Sequence, residues 1–228
     1  MKKIIIKTAL STLGIVAGCA VIVFAILSLG FPGTLCGWCE QLGNYGFAVR
    51  YASLYYSYTG DVADLARCAE DSILSENDGD ITEYCAKLVD DEEFESYCAL
   101  RDEEINGSIA GDDDFQDITF SYRQYVYGWL AGAHYRGGNT ELALGCAIEA
   151  LDSGFDREDF TSVGVCDYTI SKFPPGNALG SLSVSVIEKG DKKSGDMLLT
   201  VLESASAADE AEKLYLDTLK GALKALSE

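Results

Sequence analysis

Cys36 and Cys39 enclose Gly37 and Trp38. Two thiols at this spacing can close a small disulfide ring. A helix N-terminus beside them can lower one thiol pKa and give a reactive thiolate, which is the chemistry of thiol–disulfide exchange. A zinc site would need two further ligands. The chain has one histidine, His134, and no second cysteine pair at that spacing, so no metal site is expected. His134 has no serine or cysteine motif around it, which leaves a nucleophile–histidine pair without support. No catalytic residue and no cofactor are therefore assigned, and the chain is expected not to be an enzyme. The alternatives are a membrane-tethered thiol–disulfide oxidoreductase acting through Cys36 and Cys39, or a structural envelope protein without a dedicated ligand. Of the eight cysteines, Cys19 falls in an apolar run, leaving Cys36, Cys39, Cys68, Cys85, Cys98, Cys146 and Cys166. Seven is odd, so in an oxidising exterior at least one thiol is free or pairs between chains.

The segment preceding these thiols sets where they act. Lys2, Lys3 and Lys7 give a basic start, and Thr8 to Leu29 carries no charge. About 20 apolar residues span a hydrocarbon core of about 30 Å, so residues 1–30 are read as a cytoplasmic start and a single-pass transmembrane signal anchor. A cleaved secretory signal would have a shorter apolar core and a small-residue cleavage site. Val16-Ala17-Gly18-Cys19 resembles a bacterial lipobox, whose cysteine is acylated after cleavage, but here the chain stays apolar to Leu29. Spanning anchor and lipid anchor both remain open. No Lys or Arg follows the apolar run until Arg50, so the positive-inside rule puts the N-terminus in the cytoplasm and the rest outside. Gly14 and Gly18 form a GxxxG pair, which can let two membrane helices pack as a dimer.

The exported bulk is strongly acidic. Removing the three N-terminal lysines from 17 basic residues leaves 14 against 37 acidic ones, a formal charge of −23. Phosphate binding needs clustered Lys and Arg, so nucleic acid and anionic lipid are excluded as electrostatic partners. Such a surface either keeps the protein soluble near the membrane or favours a cationic partner. Neither Gly79 nor Gly111 has the ligand spacing of an EF-hand around it, and Asp112-Asp113-Asp114 reads as a loop or a helix start.

Residues 31–42, with Gly30, Pro32, Gly33 and Gly37, read as an irregular juxtamembrane link carrying the CxxC. From residue 43 to 228 a helical pattern dominates, with an acidic insertion at about 76–115 read as two short amphipathic helices. Further helices are expected at 156–172, across Ser181–Val186, and at 208–227 as a closing helix. An internal repeat appears when Gly60 is aligned with Gly138. Phe47/Tyr51 then meets Tyr125/Trp129, each an i, i+4 aromatic pair on one helical face. Cys68-Ala69 meets Cys146-Ala147, cysteines that either pack as small apolar residues or form disulfides. Both glycines suit the left-handed residue that ends a helix, and Asp61 and Asn139 suit N-caps. Lys189-Gly190-Asp191 is a third copy of the turn.

The segment Tyr127–Leu151 resembles a tetratricopeptide repeat. Tyr127 falls at the large aromatic of the first helix, Leu130-Ala131 at its following pair, Gly138 at the turn, Ala143 at the small residue of the second helix, and Ala150-Leu151 at the closing pair. Phe155 stands where the family has proline. Turn spacings of 78 and 52 are not multiples of the family's 34 residues, so the repeats are interrupted. The resemblance implies an all-α chain: a transmembrane helix followed by an antiparallel helical-hairpin array. It also implies a non-enzymatic scaffold that binds a protein or peptide in a groove. Tyr51, Tyr55, Tyr125, Trp129 and Tyr135 are the candidates to line it.

Overall fold

The computed structural model describes residues 2–109, 121–151, 178–204 and 210–228. The expected helix at 156–172, the run Asp112-Asp113-Asp114 and Cys166 lie outside them. Among the described residues every regular element is an α-helix. The chain begins with α1 (Lys2–Gly30), α2 (Pro32–Gln41), α3 (Tyr45–Thr59) and α4 (Val62–Leu74). It continues with α5 (Asp78–Val89), α6 (Phe94–Ile109), α7 (Tyr122–Arg136) and α8 (Thr140–Leu151). It closes with α9 (Ala178–Lys189), α10 (Lys192–Glu203) and α11 (Glu210–Ser227).

Within α1, Thr12–Gly30 is a 19-residue stretch of mean hydropathy 2.6 with none of it buried in the protein. It is long and apolar enough to cross a membrane. A Cβ built on Gly14 or Gly18 would meet nothing within 4 Å. Only Phe31 separates α1 from α2. The link read as irregular is therefore helical, and the reason lies in the position of its breakers. Pro32 opens α2, where its missing N–H costs no hydrogen bond and its fixed φ suits the helix. Gly33 sits against the ring of Tyr55, and Leu35 and Cys36 are buried as α2 packs on α3.

The turns follow the sequence closely. Gly60, Gly138 and Gly190 have φ of 65°, 84° and 63°, a region that L-residues with a Cβ avoid. The Asp61 side chain accepts from the Ala63 N–H and caps α4. Asp191 accepts from the Ser194 N–H and caps α10. The alternating stretch Ser181–Val186 lies inside α9.

Two apolar cores share α7. The first joins α4, α5, α6 and α7 through residues such as Leu65, Ile81, Leu88, Phe94, Ile105 and Tyr122. The second joins α7 to α11 through Tyr135, Ala147, Leu182, Leu198 and Leu223. A helix serving two cores is apolar on more than one face, and α7 is buried at Tyr125 and Val126 as well as at Ala131 and Tyr135. The stretch read as an acidic insertion is integral: α5 packs on both α4 and α7, with Ile81, Cys85 and Leu88 fully enclosed. Glu83 of α5 is exposed, and Asp78 forms a forked ion pair with Arg136 at the end of α7.

Candidate functional site

A groove of about 590 Å³ opens between α3 and α5. On the α3 side it is lined by Phe47, Arg50 and Ser53, and on the α5 side by Asn77, Asp80 and Tyr84. The Tyr84 hydroxyl donates to Ser53 Oγ at 2.9 Å and ties the two helices together. Asn77 caps α5 by accepting from the Gly79 and Asp80 N–H groups. Phe47 is 50% exposed, with the Arg50 guanidinium 5.3 Å from its ring centre. The site thus offers an aromatic surface, one cation, one carboxylate and neutral hydrogen-bonding groups.

None of the five aromatics expected in a groove lines this one. Tyr125 and Tyr135 are 3% and 4% exposed. Tyr125 fills the first core, and Tyr135 fills the second while its hydroxyl donates to Asp191 at 3.2 Å. Trp129 packs half-buried against the first core, Tyr51 against the α2–α4 contact, and Tyr55 against Gly33. The physical reason is that an i, i+4 aromatic pair marks the face a helix buries against its neighbours. Phe47 shares a face with Tyr51 but is half-exposed and lines the groove. It is the one groove residue that carried a sequence signal.

A second constellation lies where α2 meets α4. Cys36 and Asp71 are completely buried. The Cys36 thiol lies 3.5 Å from Asp71 Oδ2 and 3.6 Å from Glu40 Oε1. Arg67 Nε donates to Glu40 Oε1 at 2.7 Å. Cys36 and Glu40 are four residues apart on α2, as are Arg67 and Asp71 on α4, so each pair shares one helical face. Cys68 is buried in the same cluster and Cys39 packs on its edge. Burial, and then the nearby Asp71 charge, push the Cys36 thiol well above the ordinary range and Cys68 up to about 12. Cys39 shifts the same way for the same reasons. This is the opposite of the depressed pKa a reactive thiolate needs.

None of the seven described cysteines is in a disulfide. Cys68 and Cys146 both serve as packing residues, Cys146 touching both cores. Cys19 is exposed within α1. His134 is buried and faces a lowered pKa through burial, and its Nδ1 has no hydrogen-bond partner. No family model matches this chain, and no curated protein and no solved structure matches it either.

Proposed function

We propose that the protein is a membrane-anchored, non-enzymatic binding module of degenerate tetratricopeptide type, which holds an extended segment of a partner protein on the outer side of the membrane. The observation that carries this reading is the groove between α3 and α5, with its aromatic surface and both signs of charge. The arrangement of helices supports it. α3 with α4, α7 with α8, and α9 with α10 are sequential packed pairs, and α5, α7 and α9 pack in succession. α11 closes the array on α10, as a terminal cap must. In this reading α1 stays uncleaved, spans the bilayer once, and leaves Lys2, Lys3 and Lys7 in the cytoplasm. The formal charge of −20 over the whole chain steers basic segments toward the groove and repels acidic ones.

The test places a photo-crosslinking residue at Phe47 of the full-length protein in cells, with a second probe at Leu142, exposed on α8. The reading expects a defined protein adduct at position 47 that is missing at 142 and lost when Asp80 is changed to Lys. Identical adducts at both positions, or none at 47, refute it. Intact mass separates the two anchors, because loss of residues 1–18 would mean a lipid on Cys19.

A further inference from the structure

The cluster between α2 and α4 plays no part in the groove, and its donor set is chemically specific. We propose that Cys36, Glu40 and Asp71 form a binding site for a divalent, thiophilic cation of the zinc class.

Three observations carry the proposal. The first is geometry. One ligating atom from each of Cys36, Glu40 and Asp71 lies within 4.8 Å of the others. Around a tetrahedral zinc, with a metal–sulfur distance of about 2.3 Å and metal–oxygen of about 2.1 Å, a sulfur and an oxygen ligand stand about 3.6 Å apart. The Cys36 sulfur is 3.5 Å from the Asp71 oxygen and 3.6 Å from the Glu40 oxygen. Without a metal, the thiol has one proton to donate, to Asp71 or to Glu40. The metal enters by replacing the thiol proton.

The second is charge. Glu40 and Asp71 carry two negative charges and Arg67 one positive, so this group of side chains sums to −1 around a fully buried thiol. Two carboxylates converging on one buried thiol favour a bound cation. A divalent cation bound with loss of the Cys36 proton adds two positive charges and one negative, and brings the sum to zero. The proton leaves to solvent and the thiolate lone pair forms the metal–sulfur bond. Arg67 stays on Glu40, orienting the carboxylate as second-sphere donors do in metal sites.

The third is the surrounding donor set. Cys68 belongs to the same buried cluster and lies one turn before Asp71, and Cys39 packs on it one turn after Cys36. Neither sulfur belongs to the three-ligand group, so a neutral water completes the tetrahedron and the charge sum stands. Thiolate with carboxylate favours zinc over calcium or magnesium, whose sites are built from oxygen alone. The sequence concealed this because two of the ligands, Glu40 and Asp71, are carboxylates in an acidic chain. The third, Cys36, belongs to a pair whose expected companions were further cysteines or histidines.

The experiment uses the full-length protein in detergent, stripped with a chelator under reducing conditions and titrated with Co²⁺. The expected result is one equivalent of cobalt per chain, a thiolate-to-cobalt charge-transfer band in the near ultraviolet, and displacement of that band by Zn²⁺. Cys36→Ser and Asp71→Asn should each weaken binding about 100-fold or more, while Cys146→Ser leaves it unchanged. Far-ultraviolet circular dichroism checks that the variants keep their helices. Absence of the band in the wild-type protein overturns the proposal without reference to any variant. A band that survives both Cys36→Ser and Asp71→Asn in folded protein overturns it too.

Discussion

Removing the hydroxyl of Tyr122 tests how far a buried polar contact holds the first core together. Tyr122 is fully enclosed, and its hydroxyl donates to Glu70 Oε1 at 3.0 Å. Glu70 is 4% exposed, and the Arg101 guanidinium stands 3.8 Å from the same oxygen. The contact joins α4 to α7 across 52 residues of chain. Tyr122→Phe keeps the ring and its edge-on packing on Tyr97, whose centre is 5.6 Å away, so no cavity term enters. What is lost is one hydrogen bond to a charged acceptor, worth about 1.5–3 kcal/mol. For a domain of this size each kcal/mol shifts Tm by about 2–4 °C, so a fall of about 4–8 °C is expected for a loss near 2 kcal/mol. The assay is thermal unfolding of the full chain followed by circular dichroism. A double-mutant cycle with Glu70→Gln sharpens it. Against the neutral amide the hydrogen bond is worth about 1 kcal/mol, so Tyr122→Phe should cost roughly half as much in that background. Equal costs in both backgrounds, or no cost in the wild type, would refute the reasoning.

Two further outcomes follow from the turns and the buried thiols. Gly60→Ala puts a Cβ on a residue at φ 65°, which costs about 1–2 kcal/mol, and a melting curve unchanged from wild type would contradict it. Cys98 is held up at about 12, by burial first and then by Asp102 and Glu95, and burial raises Cys85 further. Both raised pKa values stabilise the protonated thiol in the folded state. Their contribution to stability is complete below the unfolded thiol's pKa of about 8.5 and is lost as pH rises through the folded values. Alkylation at pH 8, read by mass spectrometry, should therefore be about 100-fold slower at Cys85 and Cys98 in the native protein than in denaturant. Equal rates would show that these thiols are not enclosed.

Sequence pattern reaches some of these features and not others, for physical reasons. The turns at Gly60, Gly138 and Gly190 were legible because a left-handed residue leaves a local chemical mark: glycine, then a capping Asp or Asn. Helicity was legible because proline is scarce and the apolar spacing is regular. The 78-residue offset between matching turns was also visible, but its content was not. α5 carries acidic residues and reads as an insertion, although its Ile81, Cys85 and Leu88 are core. The link at 31–42 is helical although glycine and proline break helices in isolation, because Pro32 at a first position and packing on α3 favour a helix. Glu70 and Asp71 are invisible in composition. An acidic residue in an acidic chain looks solvated, and groups that enclose it lie as far as 52 residues away along the chain.

The single residue between α1 and α2 has a consequence for how any partner is met. α2 and the start of α3 are helical, so the path from Gly30 to Phe47 covers on the order of 35 Å at most. With α1 in a bilayer there is no flexible leash to let the groove sweep through the surrounding volume. Under the proposed function it would sample a thin layer at fixed height, and encounters would become a search across a surface. A ligand confined to that layer, such as the membrane-proximal stretch of another anchored protein, would face an effective concentration far above its average in the compartment. Weak contacts would then suffice for occupancy. A freely diffusing ligand would gain nothing from this arrangement, so under the proposed function the short connection would select partners by where they live as much as by their chemistry.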